Sequence, residues 1–213
     1  MRVSHKHKFI FFAVPRTGST TVRAVLDPFS DLKSRHITEI DDDAPFYHHI
    51  SPAEARVIFQ QRGWDFESYY RFCFVRNPFD RATSLFHHRI KTQDVSTWQR
   101  FMTRQKVRFL RKRVFNMYVD QHIVQWGRLE APVSEFVQSD DGTVLVDQIF
   151  PFEHLKKSLQ TVFTHMDLPA SRLSIPHKNQ SDRSHYRQYY NEDSKTKVAE
   201  VYSEDIKEYG YSF

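Results

Sequence analysis

Residues 9–22, FIFFAVPRTGSTTV, constrain the chain more than any other stretch. Phe9–Ala13 and Val14 form a continuous apolar run that reads as a short buried strand, and Pro15 cannot continue its ladder. A loop must follow. Gly18 supplies a position free of Cβ hindrance, and Ser19, Thr20 and Thr21 bring hydroxyls just ahead of Val22, Val25 and Leu26, whose spacing is that of a helix face. Strand, small-residue loop and helix in that order aim unpaired N–H groups and a positive helix end at one point, which is where an anion binds. The usual nucleotide triphosphatase loop, GxxxxGK followed by Ser or Thr, would need Gly at Ala13 and Lys at Ser19, and the chain has neither. Its cation, Arg16, precedes the glycine instead.

A second strand-to-helix crossing lies at residues 69–86, YYRFCFVRNPFDRATSLF. Phe72–Val75 reads as a buried strand, Asn77-Pro78 closes it, and Phe79–Phe86 begins a helix, so the crossing presents a cation, Arg76, and later a hydroxyl, Ser84. An arginine fork can hold two phosphate oxygens and a serine hydroxyl can donate to a third.

VPRTGSTT resembles the 5′-phosphosulfate loop of the sulfotransferases that use 3′-phosphoadenosine 5′-phosphosulfate (PAPS), with Arg16 where that family more often has Lys. The second crossing resembles that family's 3′-phosphate motif, RxPxxRxxSxF, and matches it at Arg76, Pro78, Arg81, Ser84 and Phe86. Asn77 departs from the pattern, which commonly has Asp there, and Arg81 reads as a structural anchor. The two motifs in order, rather than either alone, carry the resemblance. It implies an α/β fold with a P-loop-like parallel β-sheet flanked by helices, a single sulfotransferase domain over residues 1–213, and PAPS as co-substrate with no metal required. The cofactor-binding residues it implies are Arg16, Thr17, Gly18, Ser19, Thr20 and Thr21 at one end of the donor and Arg76 and Ser84 at the other, with Arg16 also neutralising the departing phosphate.

Between the two motifs, Phe46-Tyr47-His48-His49-Ile50 leads into SPAEARVIF, where Ser51, Pro52 and Glu54 have capping-box spacing. Two histidines immediately before a helix start are placed for a site or for a cap. Glycan 2-O-sulfotransferases of the PAPS family carry a catalytic histidine in this interval. The resemblance implies His49 as general base, with His48 as the alternative, and an acceptor hydroxyl on a carbohydrate. The nearby acids Glu39, Asp41, Asp42 and Asp43 read as a solvated loop, because consecutive acids point in different directions on most backbones.

Residues 95–119 contain no acid and seven cations, Arg100, Arg104, Lys106, Arg108, Arg111, Lys112 and Arg113. Interleaved Val107, Leu110, Val114 and Met117 predict an amphipathic helix with a basic outer side, a solvated face or a platform for an acidic glycan. A short helix is expected over Ala131–Val137, a strand over Thr143–Ile149, and a helix from Phe152-Glu153 with Leu155, Leu159, Val162, Phe163 and Met166 inward. By resemblance, the polar segment SIPHKNQSDRSHYRQYY is the loop that closes over the cofactor, which adds Lys178, Asn179 and Ser181, beside His177, to the binding set. The tail from Asn191 to Gly210 predicts a closing helix.

With 19 Phe, 10 Tyr and 3 Trp in 213 residues, a substantial aromatic core is available and disorder is excluded. One cysteine, Cys73, rules out an intramolecular disulfide and a Cys-rich zinc site, and a cytoplasmic setting is expected. No run reaches the roughly 18 apolar residues of a membrane span, and MRVSHKHKFIFF enters the first strand too quickly for a signal peptide. A net charge of +5 favours anionic partners, with no recognisable module for nucleic acid. Oligomeric state is not legible. Two other classes share parts of this pattern. A P-loop kinase-like phosphotransferase would require ATP-dependent transfer, and a noncatalytic nucleotide-binding or anion-binding protein would bind adenosine 3′,5′-bisphosphate (PAP) without turnover.

Overall fold

The structure is a computed structural model that describes residues 1–92, 108–125, 127, 129–175 and 184–213. The chain divides into two compact units, Met1–Val75 with Val133–Gln180 and Arg76–Pro132 with Ser181–Phe213.

The first unit is built on a five-stranded sheet in the order β3-β1-β2-β4-β5. Its strands are β1 (Arg2–Ser4), β2 (Phe9–Phe11), β3 (Leu32–Lys33), β4 (Tyr70–Val75) and β5 (Gln148–Pro151). The expected parallel core is β2, β4 and β5, with Phe11 opposite Phe72 and Phe74 opposite Phe150. Two short antiparallel strands, β1 and β3, extend it at the β2 edge and make the sheet mixed. The apolar run outlasts its strand. Phe12, Ala13 and Val14 stay fully buried after β2 ends, and the Phe12 N–H still donates to the Phe72 carbonyl at 2.9 Å.

Alternation along β2 sends Phe9 and Phe11 to one face, where they meet Phe72, Phe74 and Phe150. Helices α1 (Ser19–Leu26) and α6 (Leu155–His165) close that face with Val22, Val25, Leu26, Leu159, Val162 and Phe163. Phe12 takes part in a second aromatic group with Phe66, whose ring is 6.3 Å away, and Phe66 in turn packs on Phe59 of α2 (Pro52–Gln61). The strand expected from Thr143 begins only at Gln148. Asp141 accepts from the Thr143 N–H and holds the chain in a turn, and Val144 makes one isolated bridge to Gln138. The short helix α5 spans Val133–Phe136.

The second unit is helical: α3 (Pro78–Thr92), α4 (Arg108–Tyr118) continuing into a π-helical stretch at Val119–Ile123, α7 (Glu192–Val201) and α8 (Ser203–Tyr209). Its core joins Phe86, Phe115, Tyr118, Tyr190 and Tyr202. Val107 and the Leu110 side chain lie outside the described residues, and the rest of the inward stripe of α4 differs from the expected one. Val114 is buried, but Phe115 and Tyr118 accompany it, and Met117 is 37% exposed. Arg81, expected to anchor the loop by an internal ion pair, is buried and donates to the carbonyls of Ala131 and Leu129 at 2.8 and 3.1 Å. The closing helix is broken at Tyr202, whose hydroxyl donates to the Glu130 carbonyl at 2.6 Å. Gly210, left-handed at φ 64°, ends α8 as expected. Among the described residues no helix is long and apolar enough to cross a membrane.

Candidate active site

The loop from β2 to α1 is shaped by two left-handed residues, Arg16 at φ 64° and Gly18 at φ 80°. Glycine adopts that conformation freely, whereas for a residue with a Cβ such as Arg16 it costs about 1–3 kcal/mol and is characteristic of ligand clamps. Thr17 is buried and its Oγ1 donates to the Val14 carbonyl at 3.0 Å, which braces the turn from inside. Gly18 is the N-cap of α1, and its carbonyl accepts from both Thr21 and Val22 N–H groups. Among the described residues no side chain caps this helix, so its first N–H groups and its positive end are available to an anion. Ser19 and Thr21 are buried and Thr20 is exposed.

Phe152, expected to begin a helix, lies instead in the 3-10 turn that leads into α6. A Cβ built on Gly18 would lie 2.3 Å from its Cε2 and 2.6 Å from its Cδ2. The aromatic ring therefore closes the back of the anion loop, and only a residue without a side chain fits beneath it. The motif pattern marks the glycine but gives no sign of the ring that demands it.

The histidine pair is carried by a rigid segment of the same unit. The expected capping box is formed: the Glu54 carboxylate accepts from the Ser51 N–H at 3.0 Å and the Glu54 N–H donates to Ser51 Oγ at 3.3 Å. The same carboxylate accepts the Tyr47 hydroxyl at 2.6 Å, just before the histidines. His49 Nδ1 lies 2.6 Å from the Ala13 carbonyl. A carbonyl only accepts, so Nδ1 carries the proton and Nε2 keeps its lone pair. His48 has the opposite tautomer. Its Nδ1 lies 3.0 Å from Arg23 Nη1, and a guanidinium only donates, so Nδ1 accepts and the proton is on Nε2. Burial, reinforced by the cationic Arg23 and the N-terminal ammonium, lowers both imidazoles from 6.5 to about 4, so both are neutral near neutral pH. The bond from Ala13 works against that shift at His49. Among the described residues the pair therefore offers one unoccupied basic nitrogen at His49 and one N–H donor at His48.

In the second unit, Asn77 stands at the N-terminus of α3. Its Oδ1 accepts from the Phe79 N–H at 3.0 Å and its Nδ2 donates to the Ser212 carbonyl at 2.9 Å. An amide supplies the cap that an aspartate would and adds a donor that an aspartate lacks. Arg76 Nε donates to Asp80 Oδ2 at 2.8 Å, which fixes the orientation of the guanidinium beside the helix start. Asp80 lies four residues on from Arg76, one helical turn away, at a variable position of the motif. Ser84 is buried one further turn along the same face of α3.

Lys178, Asn179, Ser181 and His177 lie outside the described residues, as do Arg100, Arg104 and Lys106 and the side chains of Arg108 and Arg111. The acids Glu39, Asp41, Asp42 and Asp43 are exposed as expected, and among the described residues no cluster of His, Cys, Asp and Glu could hold a metal ion.

A family model described as "Sulfotransferase family" matches residues 1–212. Among solved structures, mouse sulfotransferase SULT7A1 complexed with PAP has a TM-score of 0.57 at 13% identity, over 96% of this chain and 86% of that one. A sulfotransferase from Alicyclobacillus acidocaldarius has a TM-score of 0.37 at 13% identity, over 100% of this chain and 85% of that one. No curated protein matches.

Proposed function

The chain belongs to the sulfotransferase family, and from that premise we propose that it moves a sulfuryl group from PAPS to a hydroxyl of a carbohydrate, with His49 as general base. The family match runs through both units, which supports reading residues 1–213 as one catalytic domain. The observation that carries the proposal is a single junction. The uncapped start of α1 follows the left-handed Arg16 and Gly18, and the strand end that feeds this loop, at Ala13, fixes the tautomer of His49.

The cradle suits a phosphosulfate. Its floor is backbone N–H, its back is sealed by Phe152 over a glycine, and its cation, Arg16, is only half-buried. Thr17, Gly18, Ser19 and Thr20 would hold the 5′ end through that backbone and Thr21 through its hydroxyl, its N–H being taken by the Gly18 carbonyl, while Arg76 and Ser84 would hold the 3′-phosphate. PAP in complex with the mouse sulfotransferase is in keeping with that donor. As the acceptor oxygen bonds to sulfur, the bond from sulfur to the phosphate oxygen breaks and its electron pair stays on the phosphate, where Arg16 and the helix end offset the new charge. The acceptor proton goes to His49 Nε2, the one imidazole nitrogen of the pair whose lone pair is open among the described residues.

A carbohydrate acceptor is supported by the histidine's place between the two donor motifs, as in glycan 2-O-sulfotransferases, and the net charge of +5 favours an acidic one. The single, buried Cys73 suits the reducing cytoplasm. The test is an acceptor screen with labelled PAPS, setting desulfated and partly sulfated glycans beside small alcohols and phenols. Label transferred to glycans, and lost in His49→Ala, is expected; transfer confined to alcohols or phenols would overturn the carbohydrate reading.

A further inference from the structure

Arg23 lies on α1 one turn beyond the anion loop, and its Nη1 donates to His48 at 3.0 Å. It is half-buried, yet among the described residues no carboxylate comes within ion-pair distance of it. The acid that acts on it, Asp27, is bonded to Arg2. A guanidinium has five N–H donors in a fixed fork, and here a single hydrogen bond occupies it among the described residues. Arg2 adds positive potential to it, which Asp27 offsets only in part. Ser34 Oγ, 3.1 Å from His48 Nδ1, accepts from the Met1 ammonium at 3.0 Å.

We propose that Arg23, with the Nε2–H of His48, forms a subsite for an anionic substituent of the acceptor, a carboxylate or a sulfate ester next to the hydroxyl that reacts. The inference rests on His49 serving as the base, because His48 is the preceding residue and Arg23 is bonded to it. A desolvated cation with donors left over among the described residues is stabilised most by a ligand that brings both charge and acceptor oxygens, and a carboxylate or sulfate oxygen pair matches the fork. His48 then has a defined task distinct from that of its neighbour. It presents a donor and not a lone pair, and it holds Arg23 beside the reacting hydroxyl. Arg23 is thus a specificity residue, separate from Arg16, which belongs to the donor.

The experiment compares two matched acceptor pairs: a uronate glycan with its carboxyl-reduced form, and a hydroxyphenyl acid with its methyl ester. The charged-to-neutral ratio of kcat/KM is expected to fall at least about tenfold in Arg23→Met and to be kept in large part by Arg23→Lys, in line with the loss of one charge-assisted hydrogen bond. Unaltered PAP affinity in both variants would show that the fold and the donor site persist. A changed ratio in the phenol pair alone would support this subsite while sinking the carbohydrate reading. Equal losses on both members of each pair, no dependence of the ratio on residue 23, or no turnover of either charged member would overturn it.

Discussion

The Nδ1 of His49 sits 2.6 Å from the carbonyl oxygen of Ala13, so the same three-residue step from strand to loop that orients the anion cradle also decides which nitrogen of the imidazole is basic. Replacing His49 by Ala is expected to lower turnover by about 10²–10⁴-fold, the usual worth of a general base. Calorimetric PAP affinity should change by less than ~threefold, since a group that acts only in the transition state leaves ground-state binding alone. The same replacement at His48 should cost less, because its Nδ1 is already occupied by Arg23. Retained turnover in His49→Ala would remove His49 from the reaction.

The pH profile should be displaced to the acid side. Both histidines are held down from 6.5 to about 4, chiefly by burial, so kcat/KM should show no inflection near 6.5 and should fall only as pH approaches 4. Stability follows with a definite sign. The folded pKa lies below the unfolded one, so the unfolded chain takes up protons first, and the contribution present above about 6.5 is lost as pH falls towards 4. Denaturant midpoints measured across that window test this. Relative to wild type, His49→Gln should lose less stability on acidification.

Gly18 is expected to tolerate no side chain. In Gly18→Ala the methyl would meet Phe152 Cε2 at 2.3 Å, and alanine at φ 80° adds about 1–2 kcal/mol of backbone cost. PAP affinity and thermal midpoint should both fall. Adding Phe152→Ala removes the collision but not the backbone cost, so the double variant should recover part of the loss, with a coupling energy of about 0.5–3 kcal/mol. Strict additivity would show that the ring does not press on the loop.

Much of the loop and helix-start architecture is legible in the sequence because its parts are local. The run into Pro15, the glycine after Arg16, and Ser51-Pro52-Ala53-Glu54 each settle their own backbone within a few residues, and the capping box and the parallel core formed where the pattern placed them. What the sequence hid was contact across distance. Phe152 is far along the chain from Gly18, and Arg23 reaches His48 across 25 residues, with nothing in either residue's neighbourhood to mark the partner. The apolar stripe of α4 went astray for a similar reason. Phe115 and Tyr118 are drawn inward by Phe86 and Tyr190, a tertiary preference that spacing alone cannot express.

Arg76 is expected to discriminate the 3′-phosphate. In Arg76→Ala, affinity for PAP should drop by about ten- to a hundredfold, the worth of one or two charge-assisted hydrogen bonds, while affinity for AMP, which has no 3′-phosphate, should barely move. Asp80→Asn leaves the guanidinium charged but loosens the pair that orients it, so PAP should bind with a steeper salt dependence. If PAP and AMP weaken alike in Arg76→Ala, the arginine supports the helix start rather than the phosphate.

Asn77→Asp separates the two tasks of that amide. The cap survives, because a carboxylate oxygen accepts from the Phe79 N–H as the amide oxygen does at 3.0 Å, and a negative charge at a helix N-terminus is favourable. The donor to the Ser212 carbonyl, now at 2.9 Å, is lost, and a carboxylate oxygen is set against a carbonyl oxygen. That repulsion should release the C-terminal residues, beginning with Phe213, whose ring packs 5.1 Å from Phe79. Hydrogen exchange at Tyr211–Phe213 should quicken while exchange in the first turn of α3 stays slow. Equal quickening in both would mean that the amide's value lies in the cap, and that aspartate at this position weakens it.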